Sequence, residues 1–266
     1  MLRLEKANVY NYLILLLSTL FLFYFYSPIL MAPNDVLFCK VGDGFGQYFA
    51  FTGYVQNSDS FLDNTTANYP YGELLVYFDS QPILALILKT LCGIFPGLKN
   101  YTIGYMNSWA LFFLWITPFF LYAILRRLKV LPILAVFGAM GITILSPQAF
   151  RMMGHFSLSF SAAIPINLYL LLRVYEGENP RKWLILLGLN NLMWLYIHPY
   201  LGLMCCILAG SIWFFYWVAN RKTQFKNIRT YAVPAMGMFF PIAFFQLVVK
   251  LTDSHTAKSK DIFGIF

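Results

Sequence analysis

Seven apolar runs, at 9–32, 103–125, 131–148, 156–172, 183–197, 201–219 and 231–249, leave this chain few folds to choose from. Most approach the ~20 residues that a helix needs to cross ~30 Å of hydrocarbon. In lipid every backbone polar group must be satisfied within the structure, so such runs become helices. The expected fold class is therefore all-α, a polytopic transmembrane helical bundle of about seven spans. Composition agrees: 59% of residues are hydrophobic and 11% charged, against about 25% charged in a soluble domain. The net charge of +8 does not imply nucleic acid as a partner, because the basic residues form short clusters between apolar runs.

Those clusters set the orientation. A cytoplasmic N-terminus puts 12 basic and three acidic residues in the inner loops and leaves seven basic and eight acidic elsewhere. This is the positive-inside pattern of a multi-pass membrane protein. The first run is longer than the ~7–15-residue core of a signal peptide and is read as a retained anchor. The segment 82–95 is short for a span and carries Lys89. Were it to cross, Arg126, Arg127 and Lys129 would lie outside, so it is predicted to dip in from the outer face and return. Residues 1–266 then form one transmembrane domain, with an outer loop at 33–102 and an outer tail at 251–266. The apolar ending Ile-Phe-Gly-Ile-Phe reads as the start of further chain.

The outer loop holds the acids. Between Asp35 and Asp79 the six carboxylates Asp35, Asp43, Asp59, Asp63, Glu73 and Asp79 face only Lys40, whereas the rest of the chain has 18 basic and five acidic residues. The loop opens with Val-Gly-Asp-Gly-Phe-Gly-Gln-Tyr (41–48) and closes with Tyr-Phe-Asp-Ser-Gln-Pro (77–82). Between them the aromatics Phe45, Tyr48, Phe49, Phe51 and Tyr54 are expected mostly on one side of an interfacial helix.

With this topology the outer face gathers Asp43, Glu73, Asp79, Arg151, His155 and His198. Arg151 and His155 are spaced i, i+4, one helical turn, and could cradle a phosphate. A carboxylate opposite them, Asp43 first, could take a proton from an incoming hydroxyl. Plainer roles stand beside these. Asp43 and Asp79 could cap the helices that follow them. Arg151 could reach for lipid headgroups, and His198 before Pro199 could be a turn residue. Glu73 and Lys89 could be solvated or interfacial.

No nucleotide, dinucleotide, zinc-protease or thiol-redox motif occurs. Gly42-Asp-Gly-Phe-Gly lacks the preceding strand and the lysine of a phosphate loop. Cys39, Cys92, Cys205 and Cys206 have no metal-ligand spacing and read as packing residues. A carboxylate and a histidine on the outer face could hold a divalent cation, and the sequence leaves that cofactor open. The sequons at Asn64 and Asn100 matter only in a host that glycosylates such loops.

Four short motifs now carry a resemblance: Gly-Asp-Gly-Phe-Gly-Gln-Tyr (42–48), Tyr-x-Asp-Ser-x-Pro (77–82), Arg-x-x-Gly-His (151–155) and His-Pro-Tyr (198–200). In this order and placement they resemble a GT-C-type bacterial membrane glycosyltransferase-like family that uses polyprenyl-phosphate sugars. The resemblance implies a lipid-linked sugar donor within the membrane lipid, Asp43 as base, and Arg151 and His155 near the donor phosphate. Many such relatives carry paired acids where Asp43 is flanked by glycines, and they run longer, with an outer C-terminal domain. A transporter or flippase of lipid-linked glycans is the rival reading, although it would place charge at span centres. A non-catalytic subunit of envelope assembly is the third.

Overall fold

The computed structural model describes the backbone of residues 2–253, except 69, 78, 177–178 and 225–227, and within that set the side chains of 9–220 and 231–253. Eleven α-helices make up nearly all of it: α1 (Leu2–Met31), α2 (Gly42–Asn57), α3 (Pro82–Ile94), α4 (Thr102–Arg127), α5 (Pro132–Ile144), α6 (Pro147–Arg151), α7 (Ala163–Glu176), α8 (Pro180–Ile197), α9 (Pro199–Gln224), α10 (Ile228–Pro234) and α11 (Phe240–Thr252). Prolines start several of them, where the missing N–H costs nothing. The only strands among the described residues, β1 (Asp63–Asn64) and β2 (Glu73–Leu74), pair antiparallel and pinch the outer loop.

Among the described residues six helical stretches are long and apolar enough to cross a membrane: Val9–Met31, Pro96–Arg127, Pro132–Arg151, Phe156–Glu176, Pro199–Asn220 and Tyr231–Thr252. The expected seventh run, 183–197, forms α8, but it is not among the six. Arg181 and Lys182 in its first turns and a pair of asparagines near its middle dilute its apolar character. Those asparagines are satisfied inside the bundle. Asn191 accepts from Asn167 of α7 and donates to Gly237 O at 2.6 Å, while Asn190 accepts from Trp194 Nε1 at 3.1 Å. Gly237 lies in a π-helical turn, Ala235–Phe239, that joins α10 to α11. Within one such turn the i→i−4 ladder is broken, which leaves a carbonyl for the Asn191 amide. The expected tail at 251–266 lies outside the described residues beyond Asp253.

The segment 82–95 forms α3, 13 residues, or about 20 Å, which is too short to span. Lys89, expected to be solvated or interfacial, is bound by the loop that precedes α3. Its Nζ donates to the carbonyls of Ser58 (2.6 Å), Ser60 (2.8 Å) and Tyr54 (3.3 Å) and sits 4.2 Å from the Tyr54 ring centroid. The cation thereby clamps the end of α2 onto α3.

Helix α2 corrects a second expectation. Tyr48, Phe51 and Tyr54 are buried, but Phe45 and Phe49 point outward, so its aromatics do not share one face. The buried stripe runs Gly44, Gln47, Tyr48, Phe51, Tyr54 and Val55 and packs on α3, α4 and the turn at 156–158. Tyr48 donates to Asn107 of α4, and Asn107 donates to Pro33 O and Val36 O, both at 2.7 Å. These bonds fix the start of the outer loop to the bundle.

Candidate functional site

The chain turns into α2 through Gly42, whose φ of +68° a glycine adopts without strain. Asp43 follows in the first helical turn, where the free N–H groups favour a carboxylate. It is not the N-cap: Val41 holds that position and no side chain caps the helix. Asp79 is not a cap either, because α3 is preceded by Gln81.

A glycine is also required at position 44. A Cβ there would lie 2.8–2.9 Å from Cys39 Cβ, Cys39 Sγ and Gly154 O. This close approach brings the 151–155 turn against the start of α2. Cys39 Sγ, 2.8 Å from Val41 O and 2.9 Å from Met153 O, straps the two together. The thiol therefore does more than fill space.

The result is the first of two carboxylate–histidine pairs. His155 Nδ1 lies 3.2 Å from Asp43 Oδ2, with side chains 58% and 71% exposed. Helix α6 ends at Arg151, and His155 N–H closes the turn onto Arg151 O at 2.8 Å. The expected one-turn spacing is kept, but His155 faces a carboxylate rather than completing an Arg–His cradle. The Arg151 guanidinium is exposed and has no partner among the described residues.

The second pair is built inward. His198 Nε2 lies 3.5 Å from Asp79 Oδ1, and the His198 side chain is only 9% exposed. Gln47, buried on α2, donates through Nε2 to Asp79 Oδ2 and accepts at Oε1 from Ser157 N at 2.7 Å. Tyr200 N–H donates to His198 Nδ1 at 3.2 Å, so the neutral ring carries its proton on Nε2, facing Asp79. Burial pushes the His198 pKa down, the Asp79 carboxylate pulls it back up, and the nearby His155 charge lowers it again. Gln47 links the two pairs, because it bonds both Asp79 and the backbone N–H of Ser157, two residues beyond His155.

Two residues beyond Asp79 the backbone is strained. Gln81 takes φ 52°, left-handed for a residue with a side chain, and is fully buried with both polar side-chain atoms unpaired. Ser157 Oγ is likewise buried and unpaired. Gln47, Ser157 and Gln81 were not singled out from the sequence. Gln47 left one legible signal, a polar residue on an otherwise buried helical stripe.

Glu73 does not join the site. It stands opposite Asn64 in the short ladder and accepts from Asn68 Nδ2 at 2.6 Å, so it holds the loop's own shape. Among the described residues no three His, Cys, Asp or Glu side chains group as metal ligands. A divalent cation would find two protein donors at Asp43 and His155.

Beside the Asp79 motif, an apolar cleft of about 360 Å³ is walled by Pro82 and Leu86 of α3, Tyr196 of α8, and Phe244 and Val248 of α11.

Residues 15–266 match the family described as Domain of unknown function (DUF6311), and the chain belongs to that family. No curated protein and no solved structure matches it.

Proposed function

We propose that this DUF6311 member is a GT-C-type membrane glycosyltransferase, with its N-terminus in the cytoplasm, moving a sugar from a polyprenyl-phosphate donor to an acceptor hydroxyl on the outer face of a bacterial inner membrane. The observation that carries the reading is the exposed Asp43–His155 pair set on a rigid, strapped turn. Asp43 holds the Nδ1 side of the imidazole, and the pair together takes the acceptor's proton. The acceptor oxygen then bonds to the anomeric carbon as the bond from that carbon to the phosphate oxygen breaks, inverting the centre. The departing polyprenyl phosphate keeps the electron pair, and the unpaired Arg151 guanidinium meets its charge. The apolar cleft beside the Asp79 motif suits part of the donor's isoprenoid chain.

The test is transfer by the full-length gene product in proteoliposomes supplied with a polyprenyl-phosphate sugar. Asp43→Asn keeps the shape and still accepts from His155, yet transfer should fall roughly 10²–10⁴-fold, the usual scale for general acid–base help. Melting temperature should change little, since Asp43 is 71% exposed. Wild-type turnover by Asp43→Asn would leave that carboxylate a helix-dipole partner and end the assignment.

A further inference from the structure

A second cleft, of about 670 Å³, lies away from both carboxylate–histidine pairs, where the end of α1 meets the start of α4. Its size falls within the about 300–1,000 Å³ of small-molecule sites. Its walls are held by bonds of their own. Asn34 Nδ2 donates to Asn100 O at 2.8 Å, and Asn34 Oδ1 accepts from Gly104 N at 3.0 Å. Gly104 permits this, because a Cβ there would meet Asn34 atoms at 3.4 Å. Gln56 Nε2 fixes the 96–101 turn through Lys99 O at 2.7 Å. The cleft is therefore preformed.

Three groups in its lining remain uncommitted. The Asp35 carboxylate is exposed and has no side-chain partner among the described residues. Tyr105 Oη is buried and its own O–H finds no acceptor, since the Trp109 indole beside it is a donor only. The Tyr101 ring is 59% exposed. No lysine, arginine or histidine lines the cleft, so nothing there recognises a phosphate or another anion. A carboxylate that can accept from two hydroxyls, a phenol that can donate or accept, and a bare aromatic face together suit a neutral polyhydroxylated ring.

We infer that this cleft binds a saccharide unit, its hydroxyls held by Asp35 and Tyr105 and its apolar face laid on Tyr101. Binding stands on the lining alone.

The experiment is saturation-transfer NMR on the full-length protein in detergent, with chitobiose, lactose and maltose as probes and glycerol 3-phosphate as the anionic headgroup control. At least one disaccharide should bind and the phosphate should not. Asp35→Asn should weaken that disaccharide about tenfold or more, the scale of one hydrogen bond to a charged group. Tyr105→Phe should weaken it several-fold, while Asp43→Asn should bind as wild type. Because no turnover is read, loss of the Asp43 assignment would leave this result untouched. Absence of disaccharide binding, binding of the phosphate instead, or full affinity in both Asp35→Asn and Tyr105→Phe would overturn the inference.

Discussion

The Asp43–His155 and Asp79–His198 pairs use the same residue types, but their surroundings divide them. In the first, both side chains are more than half exposed, at 71% and 58%, and the outward side of the imidazole is uncommitted. In the second, the histidine side chain is 9% exposed and both ring nitrogens are engaged, one by Tyr200 N–H and one by Asp79. A proton can reach and leave the first pair without disturbing the fold. In the second, a charge on the ring would be a buried charge, and loss of the carboxylate would orphan buried donors. On the proposed function the first pair is fitted to chemistry and the second to holding α2, the loop before α3 and the α8–α9 turn together.

Predictions follow from trying to erase that division. Asp79→Ala removes the acceptor for the buried Gln47 amide and for His198 Nε2–H. It should cost about 1–3 kcal/mol of stability in a detergent melt, toward the lower end because Asp79 is 44% exposed. The same truncation at Asp43 should leave the melt near wild type; equal losses at both positions would dissolve the contrast. Arg151→Lys keeps the charge but not the bidentate fork, so the donor KM should rise about tenfold with the melt unchanged. An unaltered KM would remove Arg151 from the phosphate.

The smallest effect is one of pH. The His198 pKa lies below its ordinary value of 6.5, chiefly through burial. As pH falls below about 6.5 the unfolded chain takes up a proton that the folded chain still refuses, so stability declines toward acid. For one proton the slope is at most about 1.4 kcal/mol per pH unit. His198→Gln should flatten it, whereas His155→Gln, which removes only the smallest influence on His198, should leave most of it in place. An acid slope that survives His198→Gln would assign it to another group.

How much of this was readable beforehand depends on how local each feature is. The spans and the short α3 follow from apolar run length, which is local. So does the outer loop, because six carboxylates gather there. The long-range contacts were not legible. Asp79 looks like a helix cap in sequence because its true partners, Gln47 and His198, lie 32 and 119 positions away. His155 looked like half of a phosphate cradle because the Cys39–Met153 strap that turns it toward Asp43 spans 114 positions. Lys89 interrupts an apolar run, and only the loop carbonyls that gather around it explain why. Hydropathy undercounts helix α8, because its asparagines, polar by composition, bond inside the bundle.

The most direct test sets His155→Ala beside His198→Ala and measures, for each folded variant, the transfer rate and the melting temperature. The account predicts that His155→Ala loses about 10²-fold or more in transfer at a wild-type melting temperature. His198→Ala should melt lower and keep most of its transfer per folded molecule. A folded His198→Ala without transfer, beside a His155→Ala that turns over at the wild-type rate, would contradict it.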